Sequence, residues 1–115
     1  MIPATLRIFV CTEAIDMRQG FDRLAQLVKS KLGEDPQAGS LFVFANRNAT
    51  RLKAMWFDHN GYCLLYKRLH RALFELPPSG GAVSVQLNAE QLATLLRGTP
   101  RAARRKSDRD SRAAA

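Results

Sequence analysis

The chain has 115 residues, of which 46% are hydrophobic and 24% charged, with a formal net charge of +8 and two cysteines. That length gives one domain with a real core and excludes two. No apolar run nears the roughly 18 residues that a bilayer demands, and the N-terminus MIPATLRIFVCTEAID lacks the parts of a signal peptide. The expected location is therefore cytoplasmic, with no membrane partner. Cys11 and Cys63 sit in apolar runs and read as free thiols, and with His59 and His70 they are too scattered for a metal site.

In chain order, Thr5–Cys11 is β-branched and apolar and predicts a buried strand. The polar turn Asp16–Gly20 leads into a helix over Phe21–Leu32, where Phe21, Leu24, Ala25, Val28 and Leu32 recur at helical spacing. Lys29 and Lys31 suit its carbonyl end, and Gly33 fits a left-handed cap. Leu41–Phe44 is a short, wholly apolar strand. Arg51–Arg71 predicts a β-hairpin. With Asn60-Gly61 as a two-residue type I′ turn, Lys53 pairs with Arg68, Met55 with Tyr66 and Arg51 with His70 on one face. Trp56, Ala54 and Leu52 then line the other face, which suits a core. A three-residue loop at His59–Gly61 would instead put Lys53 opposite Lys67. Either register sets cations against each other, which costs a few tenths of a kcal/mol or more.

Leu73–Leu76 predicts a further short strand, and Val83–Leu87 alternates. Asn88 with Gln91 forms a box-like cap on a second helix over Ala89–Arg97, with Leu87 placed to staple onto Leu92. Gly98 and Pro100 end it. The expected fold is α+β: one domain over residues 1–98, mostly antiparallel, with a central β-hairpin and two helices packed on one face. Residues 99–115 read as a disordered basic tail.

Charge is concentrated. Arg47–Arg71 carries six cations against Asp58, a net +5, and the tail from Arg101 carries six against Asp108 and Asp110, a net +4. The remainder is close to neutral. Such a distribution is the footprint of a polyanion partner. The candidate nucleic-acid-binding residues are Arg47, Arg51, Lys53, Lys67, Arg68 and Arg71, with Arg101, Arg104, Arg105 and Lys106 assisting. No catalytic, metal or cofactor site is expected. Two-metal strand transfer needs three converging carboxylates, whereas Asp16 and Asp22 read as turn and helix-start acids. Arg18 reads as the partner of one of them, Gly20 as a point of tight backbone approach, and Trp56 as core.

Three ordered motifs carry a resemblance: Asp16-Met17-Arg18-Gln19-Gly20-Phe21-Asp22-Arg23-Leu24; Leu41–Phe44 followed by Arg51-Leu52-Lys53; and Trp56-Phe57-Asp58 through Gly61 and Leu64 to Lys67-Arg68-Leu69. Over about Ile2–Gly98 the chain resembles the small accessory protein, the second open reading frame (TnpB-type), of the insertion-sequence-sixty-six group of bacterial mobile elements. That protein is unrelated to the RNA-guided nucleases of the same name. The resemblance implies a helper of transposition working alongside a separate DDE-type transposase. DNA, bound with weak sequence preference, and the element-encoded proteins are the expected partners. The rival expectation is an adaptor that docks on the transposase without touching DNA.

Overall fold

The structure, a computed structural model, describes residues 6–100. Its elements are β1 (Ile8–Cys11), α1 (Phe21–Leu27) running into a π-helical turn (Val28–Leu32), β2 (Leu41–Ala45), β3 (Arg51–Asp58) and β4 (Gly61–Arg68). There follow β5 (Ala72–Leu73), β6 (Ser84–Leu87), α2 (Ala89–Arg97) and β7 (Thr99–Pro100). The five-stranded sheet runs β4-β3-β2-β1-β6, while β5 and β7 form a separate two-stranded ladder. Only β1 and β2 are parallel, and α1 crosses between them; every other pairing is antiparallel. The α+β class and the mostly antiparallel sheet are as the sequence predicts. Residues 99–100 continue the fold as β7, and the tail beyond lies outside the described residues.

The placement of the helices is not as predicted. They cover opposite faces, because β1 and β2 are apolar on both sides and one layer of helix could hide only half of them. Phe9, Cys11, Phe42, Phe44 and Met55 pack with Leu24, Val28 and Leu32 from the α1 segment. Ile8, Val10, Leu41, Val43, Leu52 and Ala54 pack with Leu92 and Leu95 of α2, with Trp56 half-buried at the margin. Strand alternation thus splits the core in two.

The helix ends follow their local chemistry. Gly33 caps the π-helical turn at φ 67°, ψ 27°, and the Glu34 N–H donates to the Val28 carbonyl at 3.1 Å. Gly20 begins α1 in an extended conformation with no side-chain cap, and a Cβ there would meet nothing within 4 Å. It therefore makes no close approach, contrary to the sequence reading. At Gly98 the chain does approach closely: φ is 76° and a Cβ would lie 2.6 Å from Leu69 Cδ1. A side chain there would have to displace the end of the Leu69 side chain and hold a left-handed φ that favours glycine.

The start of α2 carries the complete capping box. The Gln91 N–H donates to Asn88 Oδ1 at 2.7 Å, and the Asn88 N–H donates to Gln91 Oε1 at 2.9 Å. Leu87 and Leu92, the staple pair, lie in one core cluster. Asn88→Ala removes one arm of the box and should cost about 1 kcal/mol, read as a lower urea midpoint with an unchanged slope.

Candidate nucleic-acid interface

The hairpin turns one residue earlier than predicted. His59 (φ 46°) and Asn60 (φ 67°) occupy the two left-handed positions, and Asp58 pairs with Gly61. Moving the turn by one residue leaves each side chain on its predicted face but changes every partner. Lys53 now faces Tyr66, Arg51 faces Arg68, Leu52 faces Lys67 and Trp56 faces Cys63. The physical reason lies at Lys53. The Asn60-Gly61 turn would have set a buried ammonium beside the Arg68 guanidinium; the observed register sets it against an aromatic ring instead, 5.1 Å from the Tyr66 centroid. Histidine and asparagine tolerate positive φ better than most residues.

Lys53 is 6% exposed. Its Nζ donates to the Met17 carbonyl and, at 2.8 Å, to the Gln19 carbonyl. It therefore pins the turn that enters α1 onto the sheet. Expected among the polyanion contacts, it is engaged with the backbone. Lys67, on the opposite face, donates to the Leu96 carbonyl at 2.6 Å. There a cation meets the negative end of the α2 dipole.

The four arginines are placed differently. Asn46 closes the loop between β2 and β3: its Oδ1 accepts from the Thr50 and Arg51 N–H groups at 3.0 Å each, and its Nδ2 donates to Thr50 Oγ1 at 3.0 Å. The segment after β4 straps across that loop, with Leu69 N–H donating to Thr50 O at 2.8 Å and Phe74 N–H to Ala49 O at 2.7 Å. Arg47 in the loop, Arg71 in the strap, and the facing Arg51 and Arg68 thus share one end of the sheet. Arg47, Arg68 and Arg71 are exposed and Arg51 is half-buried. Arg51 donates through Nη1 to the Tyr66 hydroxyl at 3.3 Å. Among the described residues, the ion pairs are Arg18–Asp16 and Lys31–Glu13, Asp58 lies 3.2 Å from the His59 ring nitrogen, and none of these carboxylates meets the four arginines. Arg101, Arg104, Arg105 and Lys106 lie outside the described residues.

Sequence reasoning missed Asn46, Thr50 and Tyr66, which build and order this end. A polar five-residue connection was visible, but nothing local showed that one amide would tie three of its groups together. Arg18 pairs with Asp16, one of its two expected partners, donating from Nε and from Nη2 (2.7 Å), while its backbone N–H also donates to Asp16 Oδ1 at 2.9 Å. Its side chain is otherwise 91% exposed. Asp22 sits in the first turn of α1 without a capping bond. Among the described residues, no three His, Cys, Asp or Glu side chains converge as metal ligands, and no helix is long and apolar enough to cross a membrane.

Lys53→Met keeps the aliphatic stem but leaves two carbonyls without their charged donor. It should destabilise the fold by about 2–3 kcal/mol, read by urea unfolding. The side chain and the backbone N–H of Arg18 hold the Asp16 carboxyl at about 2, below its ordinary 3.8. A depressed folded value means that the pair's contribution is present above the unfolded pKa and is lost as pH falls through about 2. In Arg18→Gln the Asp16 midpoint, followed by carboxyl NMR, should return toward 3.8.

A family model described as IS66 Orf2 like protein matches residues 6–106. The match runs past Gly98, where the resemblance read from the sequence ends, and takes in Arg101, Arg104, Arg105 and Lys106. The chain is 41% identical over 101 residues to the uncharacterized protein y4hO of Sinorhizobium fredii (strain NBRC 101917 / NGR234), covering 85% of this chain and 86% of that protein. It is 36% identical over 94 residues to the uncharacterized protein y4jC of the same strain, covering 81% and 79%. No solved structure matches it. The motif around Asp16–Leu24 and the one ending at Lys53 meet in space through the Lys53 hydrogen bonds, and the chain belongs to the IS66 Orf2-like family of transposition-associated accessory proteins.

Proposed function

We propose that this accessory protein binds nucleic acid, without catalysis, through the arginine-rich end of its sheet, and so assists a separate DDE-type transposase. The observation that carries this reading is the pair Arg51 and Arg68, set directly opposite each other, with no carboxylate of the described residues paired to either. In a two-residue hairpin whose closing pair is Asp58–Gly61, alternate pairs are non-hydrogen-bonded, and Arg51–Arg68 is one of them. Such pairs bring side chains closest, to Cα separations of about 4.5 Å. Two guanidiniums rooted on such a pair repel each other in the free protein. A phosphate lying across them converts repulsion into two charge-assisted hydrogen-bonding interactions.

Arg47 in the loop and Arg71 in the strap that crosses it add cations at the same end of the sheet, and the Arg101–Arg112 tail adds charge. Each phosphate neutralised releases condensed counterions, so affinity falls steeply with salt. The two helices lie on opposite faces of the sheet, and α2 reaches the arginine end only with its last turn, where Lys67 holds the Leu96 carbonyl, rather than presenting an N-terminal half in the manner of a recognition helix. Contacts of this kind position the protein on the backbone and carry little sequence information.

The rival reading, a docking adaptor for the transposase, draws on Leu65 and Tyr66, exposed by 43% and 48% next to the basic end. A pull-down with the element's proteins after nuclease digestion separates the two. Loss of the complex supports nucleic acid as the bridge; its survival supports the adaptor.

In a duplex titration at two salt concentrations, Arg51→Ala with Arg68→Ala should flatten the log–log salt slope by about two units. Removal of a like-charge pair should leave the fold within about 0.5 kcal/mol of the parent. An unchanged titration would remove this end of the sheet from the proposal.

A further inference from the structure

Strand β4 ends the sheet order, and its eight register pairs with β3 are continuous from Asp58–Gly61 to Arg51–Arg68. In a hairpin closed by Asp58 and Gly61, the hydrogen-bonded pairs are 58–61, 56–63, 54–65 and 52–67. The Leu69 N–H donating to Thr50 O extends the same alternation. The N–H and C=O groups of Tyr62, Leu64, Tyr66 and Arg68 therefore point away from β3, toward an edge that no other strand occupies among the described residues. This edge carries none of the usual protection: no proline, no bulge and no central charge, the cations lying only at Lys67 and Arg68. Leu65 and Tyr66 are exposed at its middle.

We infer that β4 pairs with β4 of a second copy of this chain, antiparallel, with Leu64 on the two-fold axis. The sequence of the strand selects both the partner and the register. With Leu64 opposite Leu64, Tyr62 meets Tyr66 on one face and Cys63 meets Leu65 on the other, so every central position finds an apolar or aromatic partner. Arg68 falls opposite Asn60 and Lys67 opposite Gly61, which keeps the cationic ends apart. A parallel pairing would stack those cations. Moving the antiparallel register by one outward-facing step would set Tyr62 against Arg68 and Cys63 against Lys67 in one direction, and in the other would leave Leu65 opposite Gly61 and Tyr66 opposite Asn60. The outward hydrogen-bonding residues meet each other in the preferred register, and both sheets keep the α1 face on the same side. The result is a continuous ten-stranded sheet with the two arginine ends about 26 Å apart along the seam, about eight residues at roughly 3.3 Å each. A seam of one strand pair is a small interface, so the dimer is weak and reversible and is to be sought across micromolar concentrations.

This inference does not depend on nucleic-acid binding. Its test uses the full chain. Sedimentation across micromolar concentrations should show a monomer–dimer equilibrium, and Leu65→Lys, at an exposed position, should raise the dissociation constant at least about tenfold. In a Cys63→Ser background, Leu64→Cys should give a disulfide-linked dimer on mild oxidation, because a two-fold hydrogen-bonded pair lies about 5.5 Å apart at Cα. Val83→Cys in the same background, at an exposed site away from β4, should not. A chain that stays monomeric throughout that range overturns the proposal, as does a dimer indifferent to Leu65→Lys or equal cross-linking at Leu64→Cys and Val83→Cys.

Discussion

The interaction on which the rest depends is the buried Lys53 ammonium, held between the carbonyls of Met17 and Gln19 and the ring of Tyr66. A charge taken out of water is costly unless donors and acceptors meet it closely. Here the helix-entry turn supplies two acceptors and the hairpin supplies a π face. The turn cannot move without stranding the charge, and the hairpin cannot slip without taking the ring away, the slip to an Asn60-Gly61 turn bringing Arg68 in its place. One side chain thus couples the α1 connection to the β3–β4 register, the two features that define the arginine end.

That coupling explains the arrangement of charge on the hairpin. With Tyr66 opposite Lys53, Arg68 must fall opposite Arg51. Lys67, one residue earlier, points to the other face and closes α2 at Leu96. The cations of one basic segment therefore divide by role: two lysines serve the fold, while the arginines remain at the surface. The division suits the side chains. A compact ammonium fits a pair of carbonyls, and a planar guanidinium fits phosphate oxygens.

Much of this was legible in the residues, and the failures are instructive. The boundaries of α2, its capping box and Gly33 could be read from local chemistry, because each feature is satisfied within a few residues. The hairpin was legible as an element, yet its register was not. Asn60-Gly61 is the stronger local turn signal, but the environment of Lys53, set by residues more than thirty positions away, decided the outcome. The wholly apolar Leu41–Phe44 carried the information that the sheet is covered on both faces; reading the helices onto one face overlooked it. At the candidate site, the arginines were visible as charge, whereas their gathering depends on the Asn46 loop and the strap hydrogen-bonded across it. Those are contacts between segments, and periodicity does not report them.

The most direct test follows backbone amide signals by NMR while a short duplex is added at low salt. The largest shifts should fall at residues 46–51 and 67–72, with the Met17–Gly20 turn and the hairpin tip near Asn60 unmoved. Shifts centred on the tip or on α2, or a spectrum that ignores the duplex, would contradict binding at the arginine end.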